Sequence, residues 1–324
     1  MRHSPQVWTL ALESLNAGVP AALLYVVQSL GSSPGRAGFA LCLTADQAAG
    51  SIGGGAMEHR FTAEARRILA EGGAPFLRRQ VHDPDAAEDR SGMICSGEQT
   101  FWFQPLAEAD RPAVATLATF ASERPRGVLT LGAGGLAYDP EGTRPVRHRF
   151  VPGTPWTYEE DLGKRDRLHI VGGGHCALAL SQLAASLDFE IFVYDDRPGL
   201  PTFEANTWAH RVIVPAYTAM ADYLEPGDDQ FVCVMTFGYK TDDLVLRALM
   251  DRDFRFLGAL GSRAKIDKMF AGYSAEGIEA DRLRRIHAPL GLPIHSQTPA
   301  EIAVSVAAQL IRVRNEPAPE RRLP

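Results

Sequence analysis

The chain has 324 residues and a mass of 35.2 kDa, which at about 100–200 residues per domain reads as two domains. Hydrophobic residues make up 45% and charged residues 22%, enough apolar surface for real cores, so disordered, collagen-like and coiled-coil classes are excluded. The net charge is −6, which excludes the basic surplus of a nucleic-acid binder. Residues 1–20 carry Glu13 inside their apolar stretch, so they are not read as a signal peptide. The longest apolar runs, such as residues 21–27, are too short to span a bilayer. Cys42, Cys95, Cys176 and Cys233 are scattered with no C-x-x-C pair, which argues against a disulfide framework or a structural zinc site and makes the cytoplasm the expected compartment.

Val7, Leu10, Ala11 and Leu15 stand at helical spacing, with Gly18 placed to end the helix. Residues 21–28 read as a buried strand, Gly31-Ser-Ser-Pro-Gly-Arg36 as a loop, and 39–44 as a second strand. Gly50-Ser-Ile-Gly-Gly-Gly55 is a glycine-rich turn before a helix over 57–70. Short strands are expected at 100–105 and 127–132, around a helix at 113–121. Residues 138–166 hold Pro140, Pro145, Pro152, Gly153 and Pro155 among charges, and read as a linker with an extended arm. The domain boundary is set at residue 160, giving domains over 1–160 and 161–324.

The second domain alternates strand and helix. Strands are expected at 168–171, 190–194, 211–214, 230–235 and 256–260. Helices are expected at 172–187, 242–250 and 262–270, the first opening on a glycine turn. Thr298-Pro-Ala-Glu301 combines a capping box with a first-turn proline and starts a final helix. This alternation predicts a doubly wound parallel sheet.

The sharpest motif is Gly172-Gly-Gly174-His175-Cys176-Ala177, a G-x-G-x-x-A pattern after a strand and before a helix. Such a turn brings backbone close to a phosphate, and the helix N-terminus supplies free N–H groups to an anion. Asp195 follows Gly174 by 21 residues at the end of the next strand, where a Rossmann acid meets a ribose hydroxyl. Arg197 stands close enough to bind a phosphate instead. The plainer alternative is a turn that only packs the fold. Gly261-Ser262-Arg263-Ala-Lys265 is a second anion candidate, since cations in a first helical turn oppose the dipole unless an anion joins them. It equally fits a solvated helix start.

Gly53, Gly54 and Gly55 carry a large ordering entropy. Close approach to a ligand or to another segment would account for them, and Glu58 can be a simple dipole partner of the helix that follows. Cys95, in Ser91-Gly-Met-Ile-Cys95-Ser-Gly97-Glu98, is placed on a loop. Cys176 is placed at a helix N-terminus, where a thiolate is stabilised. Cys42 and Cys233 fall inside apolar strands and read as core.

These residues together resemble the XdhC/CoxI family, accessory factors of xanthine dehydrogenase and related molybdenum hydroxylases. One block is Gly31-Ser-Ser-Pro, Gly50-Ser-Ile-Gly-Gly-Gly-Ala-Met-Glu58 and the Cys95 segment. The other is Gly172-Gly-Gly-His175, Asp195-Asp-Arg197, Gly261-Ser-Arg-Ala-Lys265, His287-Ala-Pro289 and Thr298-Pro-Ala-Glu-Ile-Ala-Val-Ser305. The resemblance implies an N-terminal α/β mixed-sheet domain and a C-terminal Rossmann-like domain. It also implies a chaperone that holds the molybdenum cofactor (molybdopterin, alone or in a dinucleotide form). Such a protein favours sulfuration of the cofactor by a cysteine desulfurase and delivers it to an apo-hydroxylase.

On this resemblance Cys95 is the thiol that meets molybdenum, although the family's second glycine is replaced by Glu98. The segment Met235-Thr236-Phe-Gly-Tyr-Lys-Thr-Asp242 lacks the histidines that many relatives carry, so no catalytic or metal role is expected there. The implied cofactor residues are Gly53, Gly54, Gly55, Cys95, Gly172, Gly174, His175, Cys176, Asp195, Arg197, Gly261, Ser262, Arg263 and Lys265, expected to line one cleft. A homodimer is the expected assembly, with no nucleic-acid or membrane partner. Two other functions fit the residues: an NAD(P)-dependent oxidoreductase with His175 and His287 as acid/base candidates, and a nucleotide-sensing regulator.

Overall fold

The computed structural model describes residues 4–81, 97–120 and 126–316. The chain folds as two compact units, Met1–Lys164 and Arg165–Pro324.

In chain order, the first unit comprises α1 (Pro5–Ala17), β1 (Ala22–Gly31), β2 (Ala40–Leu43), β3 (Ala48–Gly50), α2 (Gly55–Ala70), β4 (Phe76–Val81), β5 (Gly97–Pro105), α3 (Arg111–Thr119), β6 (Val128–Gly132), β7 (Gly135–Asp139), β8 (His148–Val151) and β9 (Thr157–Asp161). These strands form a five-stranded sheet, β3-β2-β1-β5-β4, and a four-stranded sheet, β7-β6-β9-β8, and each is antiparallel throughout. The strand β1 reads as an unbroken apolar run because both its faces are covered. Ala22, Leu24 and Val26 pack with Met57, Phe61 and Ala65 of α2. The alternate set Leu23, Tyr25 and Val27 packs with Val7 and Ala11 of α1 and Val114 of α3.

The expected linker at 138–166 is instead part of this second sheet. Pro140, Pro145, Pro152 and Pro155 stand outside the strands, where a missing N–H costs no ladder bond. The strands between them are only four or five residues long, so turn residues dominate the composition. Nor are its charges all solvated. Glu160 is buried and accepts hydrogen bonds from the hydroxyls of Tyr25 at 2.7 Å and Tyr158 at 2.8 Å.

The second unit comprises β10 (Arg167–Val171), α4 (His175–Ala185), β11 (Glu190–Tyr194), α5 (Pro201–Glu204), β12 (Arg211–Ile213), β13 (Gly227–Val234), α6 (Tyr239–Leu249), β14 (Phe254–Ala259), α7 (Arg263–Ala275), α8 (Ala280–Arg284), β15 (Ile286–His287) and α9 (Pro299–Asn315). The sheet order is β12-β11-β10-β13-β14-β15 and every pairing is parallel. This is the doubly wound order, with its reversal between β10 and β13. Alternate strand residues divide the core. Leu168, Ile170, Ile191, Val193, Phe231 and Cys233 face α4 and α9, whereas Tyr194, Val232, Val234 and Leu257 face α6 and α7. The expected capping box is present: the Thr298 hydroxyl accepts from the Glu301 amide, and the Glu301 carboxylate accepts from the Thr298 amide at 3.0 Å.

His169 lies buried in the middle of β10, bonded to the Tyr194 hydroxyl at 2.9 Å and to Gln230 at 2.8 Å. Burial pushes its pKa down to about 4. The unfolded chain therefore takes up a proton near pH 6.5 that the folded chain refuses until about pH 4. The stability that His169 supports is fully present above about pH 6.5 and declines as pH falls toward 4. Denaturant titrations of the full chain between these limits are expected to show His169→Gln flattening the slope, with a difference on the order of 3 kcal/mol across the window. Parallel pH profiles for both proteins would refute this.

Candidate functional site

Three glycine segments of the first unit converge. A side-chain carbon at Gly35 would sit 2.0 Å from the Ile52 carbonyl oxygen, one at Gly53 2.5 Å from the Gly35 amide, and one at Gly97 2.4 Å from the Ser32 carbonyl. The loops at 31–36 and 51–55 and the start of β5 are thus packed backbone on backbone. Gly53 answers to close approach of another chain segment. Gly54 and Gly55 have open space beside them and are required by their φ angles of 73° and 72°. Glu58 closes the turn: its Oε2 accepts from the Ser51 hydroxyl at 2.7 Å and from the amides of Ile52 at 2.8 Å and Gly54 at 3.0 Å. It is therefore an internal anion for this loop. Cys95 lies outside the described residues, two positions before Gly97.

In the second unit the glycine turn follows β10 at the strand reversal, as the spacing predicts. Gly172 has φ 115°, and a side-chain carbon there would lie 2.3 Å from the Met235 carbonyl oxygen. Gly173 is hemmed in by the Phe203 ring at 2.6 Å, whereas Gly174 has open space beside it. Gly174 caps α4 without a side-chain bond, so the first amides of that helix have no partner within the helix. His175 is exposed there.

Asp195 stands at the end of β11 as expected, but its carboxylate is already occupied. Oδ2 accepts from the Gly173 amide at 2.7 Å and from Arg197 Nη2 at 2.8 Å; Oδ1 accepts from Arg197 Nε at 2.8 Å and the Arg197 amide at 3.1 Å. Burial opposes the charge, yet the Arg197 guanidinium and the amides outweigh it and hold the pKa below the usual carboxylate range. Four donors fill the acceptor sites of a carboxylate, so a ribose hydroxyl finds no free acceptor on Asp195. Arg197 also lies over the Phe237 ring, 4.6 Å from its centroid, and Phe237 is 65% exposed. Arg197 follows β11 and Phe237 follows β13, so the pair joins the two strand ends that flank β10.

Two further expectations need correction. Cys176 was expected to be a stabilised thiolate, but it is half-buried and burial pushes its thiol up, since desolvation disfavours the charged form. Lys265 was expected to await an anion, but it pairs with the Asp242 carboxylate and donates to the Leu260 carbonyl at 3.1 Å. Ser262 accepts from the Lys265 amide at 3.3 Å as the cap of α7. Of that motif, Arg263 remains exposed in the first turn.

The glycine turn and the Gly261 segment follow β10 and β14, which are separated by β13. The intervening 236–242 segment is consequently central rather than idle. Asp242 is buried and accepts from the Thr236 amide at 3.0 Å and its hydroxyl at 2.6 Å. Sequence reasoning missed Asp242 and Phe237. The legible signal for Asp242 was an acid in the first turn of α6. His287 is stacked on Phe256 with centroids 4.5 Å apart, and burial lowers its pKa. Cys42 and Cys233 are core residues. Among the described residues no group of His, Cys, Asp and Glu can hold a metal ion, and no helix is long and apolar enough to cross a membrane.

Fold and glycine-turn geometry define a protein with one doubly wound, nucleotide-fold unit and one antiparallel α/β unit. Residues 168–310 match the XdhC Rossmann domain and residues 14–80 match the XdhC and CoxI family. The chain belongs to the XdhC and CoxI family. It is 32% identical over 156 residues to the uncharacterized protein YqeB of Escherichia coli, an alignment covering 47% of this chain but only 28% of that protein. It is 24% identical over 310 residues to the molybdenum cofactor insertion chaperone PaoD of Escherichia coli, covering 94% of this chain and 86% of PaoD. A crystal structure described as a xanthine dehydrogenase from Bacillus halodurans shares the fold at a TM-score of 0.60 and 22% identity, covering 94% of this chain and 95% of that one.

Two substitutions test the loop packing. Gly35→Ala is expected to destabilise the chain by about 2–3 kcal/mol because backbone must move, and Gly54→Ala by about 1 kcal/mol from its φ alone; equal denaturation midpoints would contradict the packing. At the second loop, Asp195→Ala strands a buried amide and frees Arg197, at an expected cost of about 2–3 kcal/mol, whereas Arg197→Ala costs less because the Gly173 bond survives. The reverse ranking in denaturant would show that Asp195 does not hold the turn.

Proposed function

We propose that the chain binds the molybdenum cofactor, favours its terminal sulfuration by a cysteine desulfurase and hands it to an apo-hydroxylase of the xanthine dehydrogenase type. The observation that carries this reading is the similarity to PaoD along 94% of the chain, in a protein that carries both family domains.

The donor set of the second unit fits the phosphate end of the group. A molybdopterin phosphate needs N–H donors and open backbone. The start of α4 offers these at Gly174, which has no neighbour where a side chain would stand. Arg263 is a further exposed cation on the same sheet edge. The Asp195 carboxylate acts indirectly, since it fixes the Gly173 amide and the Arg197 guanidinium beside that turn. When bound, the cofactor supplies a molybdenum–sulfur centre whose soft character suits a thiolate. Cys95 is the proposed thiol and rests on the family match. His175, exposed at the turn, is the candidate for a contact to the pterin. A two-fold dimer in the cytoplasm is the proposed working form.

Reconstitution tests the proposal. An apo-hydroxylase supplied with sulfurated cofactor is expected to reach higher activity, and to reach it sooner, when this chain is the carrier. Cys95→Ala is expected to reduce cofactor retained through desalting by about tenfold or more and to leave the thermal unfolding of the empty protein unchanged. Equal activation with and without the chain overturns the carrier role. Equal retention by Cys95→Ala overturns the thiol assignment alone.

A further inference from the structure

Phe237 is 65% exposed, more than any other large hydrophobic residue among those described. It stands on an ordered turn. The backbone just before it is packed against the glycine turn, where a side-chain carbon at Gly172 would lie 2.3 Å from the Met235 carbonyl oxygen and 2.9 Å from Thr236 Cα. Asp242 holds the Thr236 amide at 3.0 Å. Tyr239, the first residue of α6, is 39% exposed. Each of the two rings has a cation against it. The Arg197 guanidinium lies 4.6 Å from the Phe237 centroid, and Lys268 Nζ of α7 lies 6.0 Å from the Tyr239 centroid. Rings held in this way lose little freedom when a partner covers them.

The charges around these rings are unevenly partnered. The chain has only four lysines, Lys164, Lys240, Lys265 and Lys268, and three of them fall in the first two turns of α6 and α7. Lys265 is taken by Asp242, and Asp243 is taken by Arg247. Lys240 and Lys268 are exposed and make no ion pair among the described residues. Asp196 and Asp267 are exposed on the same edge, and the amino ends of α6 and α7 tip the balance to positive. Lys240 opposes the dipole of its own helix, a cost that an acidic partner removes.

We propose that Phe237, Tyr239 and Arg197 form the centre, and Lys240 and Lys268 the rim, of a docking surface for an acidic face of the apo-hydroxylase. This rests on the carrier reading above. The open helix start at Gly174 follows β10, and Phe237 follows β13, the neighbour of β10 in the sheet. An acceptor that takes cargo from that helix start must come to this edge. Exposed aromatic rings and arginine are the residues that carry binding energy at the centre of protein interfaces, and rim lysines steer an acidic surface toward them. A nucleic-acid backbone, bound through many phosphate contacts, would need a longer run of cations than two lysines.

Surface plasmon resonance of the full, cofactor-free chain over immobilised apo-hydroxylase reads the surface without requiring transfer. Phe237→Ala is expected to raise the dissociation rate about thirtyfold. Lys240→Glu combined with Lys268→Glu is expected to lower the association rate about tenfold at low salt, with the difference closing above about 0.5 M salt. The same double variant is expected to retain cofactor through desalting as the wild type does. No binding by the wild type, or wild-type kinetics in either variant, overturns the proposal. Conversion of a dimer to a monomer by Phe237→Ala in sedimentation also overturns it, because the surface would then belong to a second copy of this chain. Activation of the hydroxylase that neither variant alters overturns the docking surface and leaves delivery standing. The predicted binding kinetics without any activation by the loaded chain overturn delivery and leave the docking surface standing.

Discussion

Four hydrogen-bond donors converge on one buried carboxylate, that of Asp195, and the carboxyl edge of the second unit is organised around it. The Gly173 amide ties the turn after β10 to the end of β11. The Arg197 guanidinium is drawn back along its own chain to complete the set, and that position brings it over Phe237 beyond β13. A charge held out of water is costly unless its acceptor sites are filled, so each of these donors contributes to keeping the carboxylate in place. The consequence for binding is direct: the group presented at this edge is a cation with an aromatic ring beneath it, and the acid serves to hold it there.

Similar internal satisfaction recurs at the other loops. Glu58 fills the donors of the 51–54 turn, and Asp242 takes both the Thr236 donors and Lys265. Loops built to cradle anions are costly to keep empty, because their amides and cations repel one another. A resident carboxylate removes that repulsion and leaves the loop ordered before ligand arrives. What remains open is the start of α4 at Gly174 and Arg263. A carrier that must release its cargo benefits from such an arrangement, since a loop already ordered loses little entropy on binding and regains its internal partners on release.

The first unit is organised by approach of backbone to backbone. Gly35, Gly53 and Gly97 are each placed where any side chain would strike a neighbouring carbonyl or amide. The β1 strand supplies the common wall, with one face for each of two cores, and the Tyr25–Glu160–Tyr158 cluster links the two antiparallel sheets through a buried acid. Here the polar residues of the supposed linker turned out to be interior ones. Composition averaged over 29 residues reported the prolines and missed two short strands, β8 and β9, because a strand of four or five residues carries too few alternations to stand out.

Periodicity and spacing by themselves determined the parallel sheet, the glycine turn at the start of α4, the placement of Asp195 and the cap of α9. Each of these is a local rule in which neighbouring residues decide the outcome. The β10 and β11 runs, the turn between strand and helix and the Thr298 box were legible for that reason. The partners of the charged groups were decided only by tertiary structure. Asp195 and Lys265 were read as facing ligand or solvent and Glu58 as a dipole partner of its own helix, yet each is partnered by side chains or amides of another turn. Their partners sit on other loops, as with Lys265 and Asp242, 23 residues apart, or their geometry depends on a turn closed by another strand. A linear pattern specifies which strand end a charge occupies. Which donors reach it in a water-poor interior is set by the order of strands in the sheet, because distance and desolvation, both properties of the folded state, govern the strength of every such pairing.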